Sequence, residues 1–268
     1  MKNYKKIALK ILVLTFWVSA GVGSMVLFSS ALAEQKRVRI NKVKINIDQT
    51  NGIFFVNEQD IRDIIARVED GGIVGKVMDD INFSQLEKAI AGNPFVDKVD
   101  MYTSIRGEVT VSLELREPVV RVINNNRVSF YIDKKGVKMP VSAKFTARVL
   151  IVHGNIAPDT KSSYSESDST RGVNIYRLAK FIDNNEFWKA QVEQVSIDEL
   201  SDFEIVPALG DQTILIGKAD DLDAKFKRAM IFYKEVLKNV DAGLYRAVDV
   251  RYKEQIICIK KNSTYGTL

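Results

Sequence analysis

The sequence predicts an α+β protein: an N-terminal membrane helix, a small module ordered strand, helix, helix, strand, strand, and a larger strand-rich module with two helices. Three observations carry this. Residues 11–33 are uncharged and mostly apolar, residues 109–115 alternate strictly between apolar and polar, and strand patterns dominate from Pro118 onward. A chain of 268 residues, 46% hydrophobic and 27% charged, has the length and composition for two modest folded modules. The same composition excludes collagen-like and wholly disordered chains.

The 23 residues Ile11 to Ala33 lie between Lys10 and Glu34. As a helix rising 1.5 Å per residue they reach about 34 Å, enough to cross a hydrocarbon core of about 30 Å. Lys2, Lys5, Lys6 and Lys10 precede the run with no acid among them, so the positive-inside rule keeps residues 1–10 cytoplasmic and exports the rest. Ala31-Leu32-Ala33 also has the small-x-small form of a signal-peptidase site, which leaves cleavage as the alternative. The run exceeds an ordinary signal-peptide core, which favours the uncleaved anchor. Setting those four lysines aside leaves 35 basic against 34 acidic residues. A nearly neutral body lacks the basic surface of a duplex-binding protein.

The exported part starts with a strand over Arg37 to Ile47, in which Val38, Ile40, Val43, Ile45 and Ile47 alternate with polar residues across a bulge near Asn41 and Lys42. Asn57 caps a helix carrying Ile61, Ile64, Ile65 and Val68, and Gly71-Gly72 ends it. A second, short helix opens at Ser84-Gln85-Leu86-Glu87, which has capping-box spacing, and stops at Gly92-Asn93-Pro94. Strands follow at residues 95–102 and 109–115. Layer rules build this order as a small sheet covered on one face by two helices.

From Pro118 the chain reads as strands at residues 119–123 and 127–132 around Asn124-Asn125-Asn126, then a turn at Asp133-Lys134-Lys135-Gly136 and a strand at 147–152. Residues 155–172 are polar and Ser-rich and read as an exposed loop. A helix over about 173–184 precedes strands at 192–198, 203–208 and 213–217. A second helix, about 221–239, carries Leu222, Phe226, Ala229, Met230, Tyr233 and Leu237 on one stripe. Tyr245 to Tyr252, a tight turn at Lys253-Glu254 and the run Ile256 to Ile259 end the folded part; residues 262–268 are a polar tail.

The stretch Asn93 to Val122, NPFVDKVDMYTSIRGEVTVSLELREPVVRV, resembles the end of a POTRA domain, in which a final strand closes on Arg116-Glu117-Pro118. With the short cytoplasmic tail and single span, with YIDKKG at 131–136, with Leu209-Gly210-Asp211 and with Val248-Asp249-Val250-Arg251-Tyr252, the whole chain resembles the FtsQ/DivIB family of bacterial cell-division proteins. The resemblance implies a POTRA domain over residues 36–117 and a β domain over 118–261. It implies a non-enzymatic scaffold of the division machinery, held in the bacterial cytoplasmic membrane at the septum, that recruits other division proteins without cofactors. Its expected partners are small single-pass coiled-coil proteins of the FtsB and FtsL type. It places the partner site on the last strands, at Arg251, Tyr252 and Glu254. Ile256 and Cys258 extend that site as a strand edge, whose unpaired N–H and C=O groups can accept a partner's strand. Two departures from the family pattern stand out: Ile105-Arg106-Gly107 lacks a proline, and Lys253-Glu254-Gln255 replaces a small glycine-containing turn.

Other functions find weaker support. His153, the single histidine, ends an apolar strand with no nucleophile motif, so an envelope hydrolase needs a triad the sequence does not display. One cysteine and one histidine make no His/Cys zinc set, and Gly71, Gly72 and Gly75 follow a helix and are not completed by the Gly-Lys-Ser/Thr of a phosphate loop. Asn82 and Asn262 open glycosylation triplets that carry no weight in a bacterial host. A membrane-anchored POTRA chaperone or transport accessory is the alternative built from the same parts.

Overall fold

The computed structural model describes residues 12, 14–27, 29, 38–49, 51–156, 161–165, 171–237 and 244–261. Residues 14–27 form helix α1, whose side chains are exposed along its length. Among the described residues no helix is long and apolar enough to cross a membrane. The expected span of 11–33 includes positions 11, 13, 28 and 30–33, which lie outside the described residues, as do the expected tails at 1–10 and 262–268 and the candidate cleavage site at 31–33.

The chain forms two units. The first comprises Met1–Gln49 and Val56–Leu115 and the second Thr50–Phe55 and Arg116–Leu268. In the first, strand β1 (Lys42–Asp48), helices α2 (Glu58–Val68) and α3 (Phe83–Ala91) and strands β2 (Val96–Thr103) and β3 (Glu108–Leu115) follow the expected order. The sheet order is β1-β3-β2, with β1 parallel and β2 antiparallel to β3. Period-two patterning puts Val43, Ile45, Val109, Val111 and Leu113 on the face that the helices cover, with Ile61, Ile65, Leu86 and Ile90 buried from the helical side.

Local chemistry sets the helix starts. Asn57 Oδ1 accepts from Asp60 N at 2.9 Å while Asp60 Oδ2 accepts from Asn57 N at 3.0 Å, a reciprocal capping box. The second start differs from the expected one. Asn82, not Ser84, caps α3 by accepting from Gln85 N at 3.1 Å, and Glu87 instead accepts from Met101 N on β2 at 3.1 Å. The expected first strand is also divided. Residues 38–40 pair with residues 76–78, through Ile40 N to Lys76 O at 3.0 Å and Met78 N to Val38 O at 2.9 Å, and pairing with β3 begins only at Lys42. What reads as a bulge at Asn41 is a change of partner.

In the second unit the strands of the described residues form one nine-stranded sheet. Its strands are β4 (Pro118–Asn124), β5 (Ser129–Asp133), β6 (Lys138–Pro140), β7 (Leu150–Gly154), β8 (Val192–Ile197), β9 (Phe203–Pro207), β10 (Thr213–Gly217), β11 (Tyr245–Asp249) and β12 (Ile257–Lys260), in the order β12-β11-β10-β9-β8-β7-β4-β5-β6. Three pairs are parallel and require crossovers: β4–β7 is connected through β5 and β6, while helices supply the others, α4 (Arg171–Asp183) and α5 (Glu186–Gln191) between β7 and β8 and α6 (Leu222–Ile231) between β10 and β11. α6 continues as a π-helical turn over Phe232–Val236.

Among the described residues the unit therefore has three α-helices where two were expected. Asn185, just past the expected helix at 173–184, caps α5 by accepting from Trp188 N at 3.1 Å. Trp188 then fills the space between the crossovers, its ring 4.9 Å from Phe226, which lies 4.7 Å from Phe181. The Arg-Glu-Pro signature locks the start of this unit to the turn that follows β5. Arg116 Nη1 reaches the buried Asp133 Oδ2 at 2.9 Å, and Glu117 pairs with Lys134. Asp133 Oδ1 meanwhile accepts from Lys135 N at 2.9 Å and Val137 N at 2.7 Å. Gly136, at φ +81°, closes the turn where a Cβ would meet Tyr164 O at 2.2 Å.

Candidate partner-docking edge

β12 ends the sheet. It pairs antiparallel with β11 through Asp249↔Ile257, Val248↔Cys258 and Ala247↔Ile259, and Lys261 N donates to Leu244 O at 3.0 Å. Backbone groups alternate sides along a strand, so Ile257 and Ile259 share the inward direction of Lys261, and the N–H and C=O of Cys258 and Lys260 point away from β11. Among the described residues no strand lies beyond them. The opposite edge is partly taken by the chain itself. Lys138 N donates to Ser162 O at 2.8 Å and Tyr164 N to Gly136 O at 2.8 Å.

The connection between β11 and β12 is held by charge. Asp249, 4% exposed, receives Arg251 N at 3.0 Å and the guanidinium in two-point fashion, Nε to Oδ1 at 3.0 Å and Nη2 to Oδ2 at 2.7 Å. Arg251 Nη1 lies 3.5 Å from Asp202 Oδ2, and Asp202 also holds Lys218 at 2.8 Å. The hydrogen bonds that Arg251 donates to Asp249, with the neighbouring carboxylates, raise the Arg251 pKa further above its ordinary value. Gly217 ends β10 where an added Cβ would sit 3.0 Å from Cγ and Cδ of Arg251, so the absent side chain leaves room for the arginine stem. From the helical layer, Arg228 Nη2 donates to Val250 O at 2.7 Å.

The five residues expected at the partner site are thus sorted by environment. Arg251 is engaged within the chain. Tyr252 is 51% exposed, its ring 5.9 Å from the Arg251 guanidinium, and Glu254 is exposed at φ +58° in the turn. Ile256 and Cys258 are half-buried and pack against the core. Cys258 lies on β12 and Ile256 just before it. Burial pushes the Cys258 thiol above its ordinary value. The carboxylates Asp249 and Asp202 and the cations Lys218 and Arg228 were not among the expected site residues. Asp249 and Arg251 stand two residues apart in an alternating stretch, the spacing that puts side chains on one face of a strand, and that was their signal.

The family models match the same architecture. Residues 117–259 match the model described as FtsQ/DivIB, C-terminal related, which is more than half of the chain. The chain belongs to the FtsQ/DivIB family. Residues 39–114 match the model of the POTRA-like domain. A search of curated proteins finds no match. As an FtsQ/DivIB protein the chain is a cell-division scaffold of a non-enzymatic family, and the matched region ends at Ile259, inside β12.

Elsewhere in the FtsQ/DivIB unit, His153 is the penultimate residue of β7, beside Ser196 in register, and among the described residues no three His, Cys, Asp or Glu side chains converge on a metal-sized site. A groove of about 760 Å³ opens at the starts of β4, β7 and β8, away from β12. Of the charges that line it, Glu117 pairs with Lys134 and Asp183 with Lys189; Arg148 and Glu193 line it too.

Proposed function

We propose that this FtsQ/DivIB protein is a bitopic scaffold that recruits a division partner by adding the partner's strand to β12. The apolar run 11–33 anchors it in the cytoplasmic membrane with the N-terminus inside, and both folded units work on the outer side, at the septum. The observation that carries the docking reading is the outward-facing backbone of Cys258 and Lys260 at the end of the nine-stranded sheet. Main-chain hydrogen bonds would supply affinity there, and the exposed Tyr252 and Glu254 beside the strand would supply selectivity. The partner class is a small single-pass coiled-coil division protein of the FtsB or FtsL type. Anchoring both chains in one membrane raises their effective concentration, so a short edge suffices.

The test is affinity purification of tagged full-length protein from detergent-solubilised native membranes, compared with Tyr252→Ala and Cys258→Pro. The proline removes an N–H that faces away from β11, a place where an edge strand tolerates it. Loss of one or two small single-span proteins from both variants supports the edge. Their retention with Cys258→Pro would place the partner elsewhere, and a broad, unselective set of envelope proteins would favour a chaperone.

A further inference from the structure

We infer that one end of the POTRA-like unit is a lipid-contacting tip that seats Val74, Tyr102 and Ile105 in the headgroup layer of the membrane anchoring the chain. The inference rests on the reading of residues 11–33 as that anchor.

Three exposed large apolar side chains occur among the described residues of this unit outside the N-terminal helix: Val74 at 61%, Tyr102 at 55% and Ile105 at 78%. Singly, such residues need no explanation, but these share one end of the unit. Residues 39–41 bind the two turns that carry Val74 and Ile105. On one side Gly75 N donates to Ile40 O at 2.7 Å and Arg39 Nη1 to Gly75 O at 2.8 Å. On the other, Asn41 N donates to Gly107 O at 2.9 Å and Asn41 Nδ2 to Arg106 O at 2.7 Å. Tyr102 is on the last turn-proximal residues of β2, just before Ile105. Gly107 permits the close approach, since a Cβ there would lie 2.2 Å from Arg39 O.

Chain length forces this end toward the membrane. Val38, whose carbonyl is already bonded to Met78 N, follows Ala33 by five residues, which span at most about 18 Å. The exposed cations Arg39, Lys42 and Arg106 lie on the same segments that carry or bind these turns. The acids nearby are Glu108, opposite Lys42 in register, Glu69, which is paired with Lys76 at 3.0 Å, and the exposed Asp70, Asp79 and Asp80. Aliphatic turn tips with a tyrosine and arginines beside them suit the boundary between acyl chains and anionic phosphates.

The test uses full-length protein in a Cys258→Ser background, with a polarity-sensitive fluorophore attached after Ile105→Cys, Val74→Cys or, as control, Lys98→Cys at the opposite end of β2. The chain is reconstituted into vesicles of phosphatidylethanolamine and phosphatidylglycerol, with and without a headgroup-level nitroxide lipid. The label at positions 105 and 74 should lose most of its emission to the nitroxide and the label at 98 should keep it. Equal emission at all three positions, in a chain that resists alkaline extraction, overturns the tip and leaves the anchor standing. Release by alkali overturns both. Quenching at 105 that appears only when other membrane proteins are added would make the tip a protein surface and overturn the lipid assignment.

Discussion

Removing the Arg251 side chain should loosen β11 without touching a partner. Arg251→Ala leaves the Asp249 carboxylate, 4% exposed, with the Arg251 backbone N–H but without the guanidinium that now reaches both its oxygens. Stranding a fully buried charge costs about 3–5 kcal/mol. The arginine side chain is 40% exposed, so water screens the pair and the cost falls to about 2 kcal/mol. A local destabilisation of about 2 kcal/mol is roughly a thirtyfold change in an opening equilibrium. Hydrogen exchange of the Ala247 and Val248 amides, in full-length protein in detergent, should accelerate by about that factor, with β2 and β3 amides unchanged. Adding Asp249→Asn to Arg251→Ala removes the stranded charge and should recover much of the protection. Unchanged exchange in the single variant, or no recovery in the double one, would refute the reasoning. Tyr252→Ala separates the two roles: it should leave β11 exchange at the wild-type rate while weakening partner capture.

Because burial holds the Cys258 thiol above its ordinary value of 9.0, alkylation near neutral pH should be several-fold slower than for an exposed cysteine and should rise steeply with pH; a flat pH profile would count against that burial. The Asp220 carboxyl is held below its ordinary 3.8, first by the hydrogen bond from Lys225. Lys225 itself is 7% exposed. This stabilisation is present above 3.8 and is lost as pH falls through the depressed folded value, so the urea midpoint of wild type should approach that of Lys225→Met between about pH 5 and pH 2. A constant gap between the two would show that the pair is not linked to the proton. Gly136→Ala must take φ +81° with its Cβ 2.2 Å from Tyr164 O, and should cost about 3 kcal/mol in urea unfolding; a loss within about 0.5 kcal/mol would mean that the turn relaxes freely.

What could be read from the residues alone is what neighbours decide. The Asn57 cap needs only Asp60, three residues on. The turn at Asp133 needs only Lys135 to Val137, and the alternation of Val109 to Leu115 marks a half-buried strand whatever it pairs with. The Arg-Glu-Pro signature and the last strands carried the family likeness in short local patterns. The break at Asn41, the Asn82 cap and helix α5 escaped the reading because other groups settle them. Asn41 answers to Gly107, Glu87 serves Met101 on a different element, and Trp188 is helical where it can pack on Phe226. The sequence by itself therefore determined the order and type of most elements and the family, since propensity, capping and periodicity act over a few residues. Only the tertiary structure decided that β12 closes the sheet and that Arg251 belongs to Asp249 and Asp202. It also brought Val74 and Ile105 to one end of the POTRA-like unit. Sheet order, ion pairing and exposure join residues far apart along the chain, and no local pattern encodes those distances.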